Sequence, residues 1–151
     1  MRAVWLVAGL LTTAASVQAS APAPFGTWMT KEGDSRIRIS SCGKALCATI
    51  VWTKEPGTDG QNPDPGLRSR NIVGVDLSRD MQPDGSGGWL GSIYNPDNGK
   101  TYRATMRRRG ESELEVGGCI LGGLLCGSDT WLRQPDGTAS VMPAPEKPAR
   151  R

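Results

Sequence analysis

The segment Ser35-Arg36-Ile37-Arg38-Ile39-Ser40 alternates polar and apolar residues without a break. That period belongs to a strand with one buried face, since successive strand side chains point to opposite sides, whereas a helix needs apolar positions three and four apart. Thr49-Ile50-Val51-Trp52-Thr53 repeats it and puts Ile50 and Trp52 on one face. Further runs at 26–30, 72–77, 88–94, 101–107, 113–119 and 129–133 are rich in β-branched or aromatic residues, and Gly, Pro, Asn or Asp bound nearly all of them. About eight strands are therefore predicted. No longer segment combines helical spacing with start and stop signals, and 67–71 has room only for a single turn.

The connections agree with short antiparallel pairings. Asn98-Gly99, between Ile93-Tyr94 and Lys100-Thr101-Tyr102, is a preferred tight-hairpin dipeptide, because both residues take positive φ at low cost. Asp84-Gly85-Ser86-Gly87-Gly88 and Arg109-Gly110-Glu111-Ser112 read as two further hairpin connections. Strands at short, regular spacing favour an all-β antiparallel sandwich or up-and-down barrel, and closure removes exposed sheet edges. An eight-stranded barrel is wide enough to be filled by side chains or to hold one small ligand.

Both ends of the chain stand apart from this pattern. Arg2, the apolar run from Ala3 to Leu11 and the small-residue triplets Val17-Gln18-Ala19 and Ala19-Ser20-Ala21 form a secretory signal, predicted over residues 1–21. The run is too short to span a bilayer, and no cysteine at the cleavage region can carry a lipid, so no membrane anchor is expected. The barrel is expected over 25–134. Beyond it, 135–151 carries Pro135, Pro143, Pro145, Pro148 and the terminal Arg150-Arg151, and reads as a disordered basic tail.

An exported chain gives its cysteines a specific meaning. In an oxidising compartment, Cys42, Cys47, Cys119 and Cys126 read as two disulfides, with three possible connectivities. A bridge from Cys42 to Cys126 would restrict the unfolded chain by ~4.6 kcal/mol, against ~2.2–2.5 kcal/mol for each local bridge. Local pairing is nonetheless expected, since each pair brackets Gly-containing turn residues that bring the sulfurs together early. The spacings are looser than zinc knuckles, and no Cys-x-x-Cys redox motif is present, so no metal or cofactor is predicted.

Absent histidine narrows the chemistry further. It removes Ser-His-Asp and Cys-His nucleophiles, histidine zinc sites and the usual proton shuttle near neutral pH. A net charge of +3 is too small and too evenly spread to argue for nucleic acid. No enzyme constellation emerges.

From Gly26 to Arg133 the chain resembles bacterial domain-of-unknown-function family 2147, exported proteins with a lipocalin-like barrel. The resemblance is carried by Gly26-x-Trp28, Cys42-Gly43-x-x-Leu46-Cys47 before Ile50-Val51-Trp52, and Asp59-x-x-Asn62-Pro63-Asp64-Pro65 before Leu67-Arg68. Gly88-Trp89, Ile93-Tyr94-Asn95-Pro96 with Gly99-Lys100-x-Tyr102, Leu114-x-Val116-x-Gly118-Cys119 and Trp131-x-Arg133 complete it. Cys126 lies outside this pattern. The resemblance implies an eight-stranded calycin-like barrel in the periplasm or secreted medium, and no reaction. Gly-x-Trp also resembles the lipocalins, in which a first-strand Trp packs beneath a last-strand Arg; Trp28 and Arg133 are the residues available for barrel closure, a contact of ~0.5–2 kcal/mol.

Polar candidates for chemistry have plain structural readings. The loop Asp59-Gly60-Gln61-Asn62-Pro63-Asp64-Pro65 offers oxygen ligands but lacks the EF-hand pattern, and its prolines favour a rigid connection. Asp59 and Asp64 as a glycosidase pair would need one desolvated carboxyl. Arg107-Arg108-Arg109 reads as a solvated strand end. The expected interior is Ile37, Ile39, Ile50, Trp52, Trp89, Tyr94, Tyr102 and Met106, with Trp131 a further aromatic candidate. Two readings follow: a binder of a small hydrophobic or amphipathic ligand, or a filled barrel serving as a structural or interaction module. A continuous cavity of about 300 Å³ or more favours the binder.

Overall fold

In the computed structural model, residues 22–120 and 125–135 are described. The predicted export signal and, apart from Pro135, the predicted tail lie outside them. Eight strands run in chain order as β1 (Gly26–Met29), β2 (Ser35–Cys42), β3 (Ala45–Thr53), β4 (Asp76–Pro83), β5 (Trp89–Asn95), β6 (Lys100–Arg108), β7 (Glu113–Ile120) and β8 (Leu125–Arg133). Each pairs antiparallel with its sequence neighbour, and β1 pairs with β8 through Trp28–Arg133 and Met29–Leu132, closing an up-and-down barrel. Closure depends on the shortest strand.

Alternation sets the packing. Trp28, Ile37, Ile39, Met81, Met106 and Leu114 are almost wholly enclosed, while Arg38, between the β2 isoleucines, and Ser40, after them, face water. Burying one such large apolar side chain contributes about 1.5–3 kcal/mol. At the end where the chain enters, the indole Nε1 of Trp28 donates to the Pro24 carbonyl at 2.8 Å, and the Arg133 guanidinium lies 4.5 Å from the Trp28 ring. Arg133 Nε also donates to the Glu111 carbonyl, tying the first strand, the last strand and the β6–β7 turn together. One end of the barrel is thus plugged.

Three sequence expectations are corrected by the backbone. Trp52 does not share the inward row of Ile50: Ile37 opposes Ile50, whereas Arg36 opposes Trp52, so Val51 is an extra residue in a β-bulge. The bulge reverses the alternation, and Trp52 stacks under Arg36 at 4.7 Å on the outer face. The fourth strand lies at Asp76–Pro83 in place of 72–77. Gly74, at φ +99°, turns the chain before the ladder begins, and the polar run Ser78-Arg79-Asp80 forms strand around the inward Met81. Finally, β5 and β6 are joined by four residues, 96–99, and not by a two-residue Asn-Gly turn, since Asn95 still pairs with Lys100. Within that connection Gly99 takes φ +68°.

Two disulfides staple neighbouring strands. Cys42–Cys47 spans the β2–β3 turn with Cα atoms 5.7 Å apart. Cys119–Cys126 joins directly opposed residues of β7 and β8 with Cα atoms 4.1 Å apart. Such bridges fit an oxidising, extracytoplasmic location.

Candidate functional site

In an antiparallel meander, alternate connections fall at the same end of the barrel. The end away from Trp28 carries the segments 30–34, 54–75 and 96–99, and there a cavity of about 900 Å³ opens to solvent. Its apolar walls include Ile37, Ile50, Ile72, Leu77, Ile93, Val116 and Trp131, together with the rings of Tyr94 and Tyr102. Glycines create much of the space. Gly118 and Gly127 face one another across β7 and β8, both line the cavity, and a Cβ on Gly118 would meet nothing closer than the Arg103 carbonyl oxygen at 4.0 Å. A wall without side chains leaves room where the opposite half is packed.

The long β3–β4 connection forms one side of this mouth and is held by a buried carboxylate. Asp59 is fully enclosed. Its Oδ1 accepts from the Tyr94 hydroxyl at 2.6 Å; its Oδ2 accepts from Asn62 Nδ2 at 2.7 Å and from Arg70 Nη2 at 2.6 Å. Burial alone would raise the Asp59 pKa, but the hydrogen bonds from Tyr94, Asn62 and Arg70 and the Arg70 charge outweigh it and hold the carboxyl below its ordinary range. The Tyr94 hydroxyl is pushed up by burial and by the adjacent Asp59. Thr58 bridges to Asn71, and Asp64 caps the short 3-10 turn Pro65–Leu67 by accepting from Gly66 N. The loop is therefore a rigid, anchored wall.

Where β5 leaves β4, a side chain replaces the ladder. Registered pairing between them covers Gln82–Leu90 and Pro83–Trp89; farther toward the mouth, Ser92 donates both its backbone N–H and its hydroxyl to the Asp80 carboxylate.

Of the expected interior residues, Ile37, Ile50, Tyr94 and Tyr102 line the cavity. Ile39 and Met106 belong to the buried core. Trp89 is also buried, beside a second pocket of about 740 Å³ that Leu46, Met81 and Phe25 help to line at the plugged end. Trp52 is outside the barrel. Leu77, Ile93, Val116 and the Gly118–Gly127 wall are cavity residues that the strand patterns did not single out. Asp59 and Asp64 do not act as an acid pair: one carboxylate is committed to Arg70 and the other to a turn. Arg107 binds Asp84 and Ser86, Arg108 donates to the Gly110 carbonyl and Arg109 pairs with Glu115, so the three arginines serve the turns at the plugged end. Among the described residues, no group of three or more Cys, Asp or Glu side chains is placed to hold a metal ion.

The chain from 26 to 133 matches the family model described as "Uncharacterized protein conserved in bacteria (DUF2147)". Among solved structures it is similar to protein HP1028 from the human pathogen Helicobacter pylori, which is described as belonging to the lipocalin family. The two share 24% identity at a TM-score of 0.69, over 76% of this chain and 84% of the other. No curated protein matches.

Proposed function

Since the chain belongs to the bacterial family DUF2147 and closes into a lipocalin-like barrel, we propose that it is an exported carrier holding a small, largely apolar molecule in the open half of the barrel. One observation carries the reading: a cavity of about 900 Å³ with aliphatic and aromatic walls sits above a packed floor. Small-molecule sites have this character, concave and mostly apolar with a few polar groups at the margin. The Gly118–Gly127 wall is hard to explain by stability alone, because glycine in a strand adds backbone entropy cost and packs nothing. Binding without chemistry fits a mouth whose enclosed carboxylate, Asp59, is occupied in holding a loop.

Export is supported by the paired cysteines and by the signal-like pattern of residues 1–21. Native mass spectrometry of protein purified from its own cell envelope tests the carrier reading. The expected result is a mass excess of a single small molecule that vanishes on denaturation. A bare native mass in repeated preparations would turn the assignment to a structural module.

A further inference from the structure

We infer that the cavity selects a cationic amphiphile, an apolar body bearing an amine or quaternary ammonium head; this deepens, and rests on, the carrier reading above. The cavity is divided by polarity. Its depth is apolar and aromatic, while its margin carries Glu32, Asp34, Glu55, Asp97 and Asp129 against, among the described residues, a single lining amine, Lys54. These five carboxylates gather in a chain whose net charge is +3, so the negative mouth runs against the molecule's overall sign.

Little of that charge is neutralised internally. Lys31 reaches Asp129 at 3.3 Å, and Asp34 accepts a hydrogen bond from the Thr30 hydroxyl. Among the described residues, Glu32, Glu55 and Asp97 enter no ion pair. The carboxylates come from separate segments around the opening: Glu32 and Asp34 from the β1–β2 connection, Glu55 from the β3–β4 loop, Asp97 from the β5–β6 connection and Asp129 from β8. They do not converge into a metal-binding group, which favours a diffuse organic cation over a divalent ion. Charges of one sign at a low-dielectric opening concentrate counter-ions and repel like charges, so a fatty-acid type of ligand would meet repulsion at the entrance. Tyr102, whose hydroxyl accepts from Asn98 in the β5–β6 connection, places an aromatic ring beside that margin, and such rings attract ammonium groups.

Calorimetric titration of the full protein with decyltrimethylammonium, decanol and decanoate tests this with probes of equal chain length. The cation should bind roughly tenfold or more tightly than decanoate, and added salt should reduce that preference. The triple variant E32Q/E55Q/D97N should weaken the cation at least about threefold and leave decanol unchanged. Equal affinity for all three probes, or preference for decanoate, would overturn the charge selection while leaving the carrier reading intact. Failure of every probe to bind would remove the carrier reading and this inference together.

Discussion

Asp59 loses water on every side, yet its carboxyl ionises more readily than in an unfolded chain, because three side chains donate to it. That imbalance makes stability depend on acidity. As pH falls below the ordinary value of 3.8, the unfolded chain binds protons that the folded Asp59 still resists, so the stability it contributes is present above that pH and lost below it. Asp80 and Asp84 are likewise held below their ordinary range, so Asp59→Asn should flatten the acid limb of a denaturation profile only in part. The same substitution should cost about 2–3 kcal/mol at neutral pH, since Arg70 and the Tyr94 hydroxyl lose a charged acceptor. Urea unfolding at pH 7 and at acid pH measures both effects; an unchanged acid limb would contradict this role of the buried Asp59 carboxylate. At the plugged end, Arg133→Ala should cost about 1 kcal/mol through its contacts with Trp28 and the Glu111 carbonyl. The Asp59-x-x-Asn62 loop was legible as a rigid connection from its prolines. Its anchor was not, because Tyr94 lies 35 residues away and nothing local signals the contact.

Period-two alternation located most strands, since a half-buried strand writes its two faces directly into the residue order. It failed where the backbone gains a residue. Val51 in the β3 bulge looks like any other strand valine, and the error it causes moves Trp52 from the cavity to the outer surface. The start of β4 was misplaced for a related reason: Ile72 to Val75 is apolar enough for a strand, but Gly74 bends it. The β5–β6 connection shows what glycine does in this fold. Gly99 has a positive φ, and its missing side chain leaves space for the backbone of Gln61 in the β3–β4 loop. Gly99→Ala should therefore destabilise by at least about 1 kcal/mol and raise amide exchange in residues 57–62, measurable by hydrogen–deuterium exchange. Protection unchanged across that segment would show that the loop is held without this contact. Removing one local staple through the double change C42S/C47S should cost about 2 kcal/mol, read as a lower melting temperature.

The whole barrel divides into a packed half closed by Trp28 and Arg133 and an open half walled by glycine, aromatic residues and a fixed loop. Strand count could be read from the residue pattern, which left a sandwich open beside a barrel; the family resemblance implied the barrel and the β1–β8 pairing shows it, whereas the cavity was not legible. Its volume arises because Gly118 and Gly127 face each other, a consequence of register between strands. Gly118→Leu uses that register: the new side chain enters open space, so thermal stability should change by less than about 1 kcal/mol while ligand occupancy falls about tenfold or more. The most direct measurement is the crystal structure of protein purified from its own envelope. The carrier account predicts density for one small molecule between Tyr102, Trp131 and the Gly118–Gly127 wall; a cavity holding only water, or filled by rearranged side chains, would contradict it.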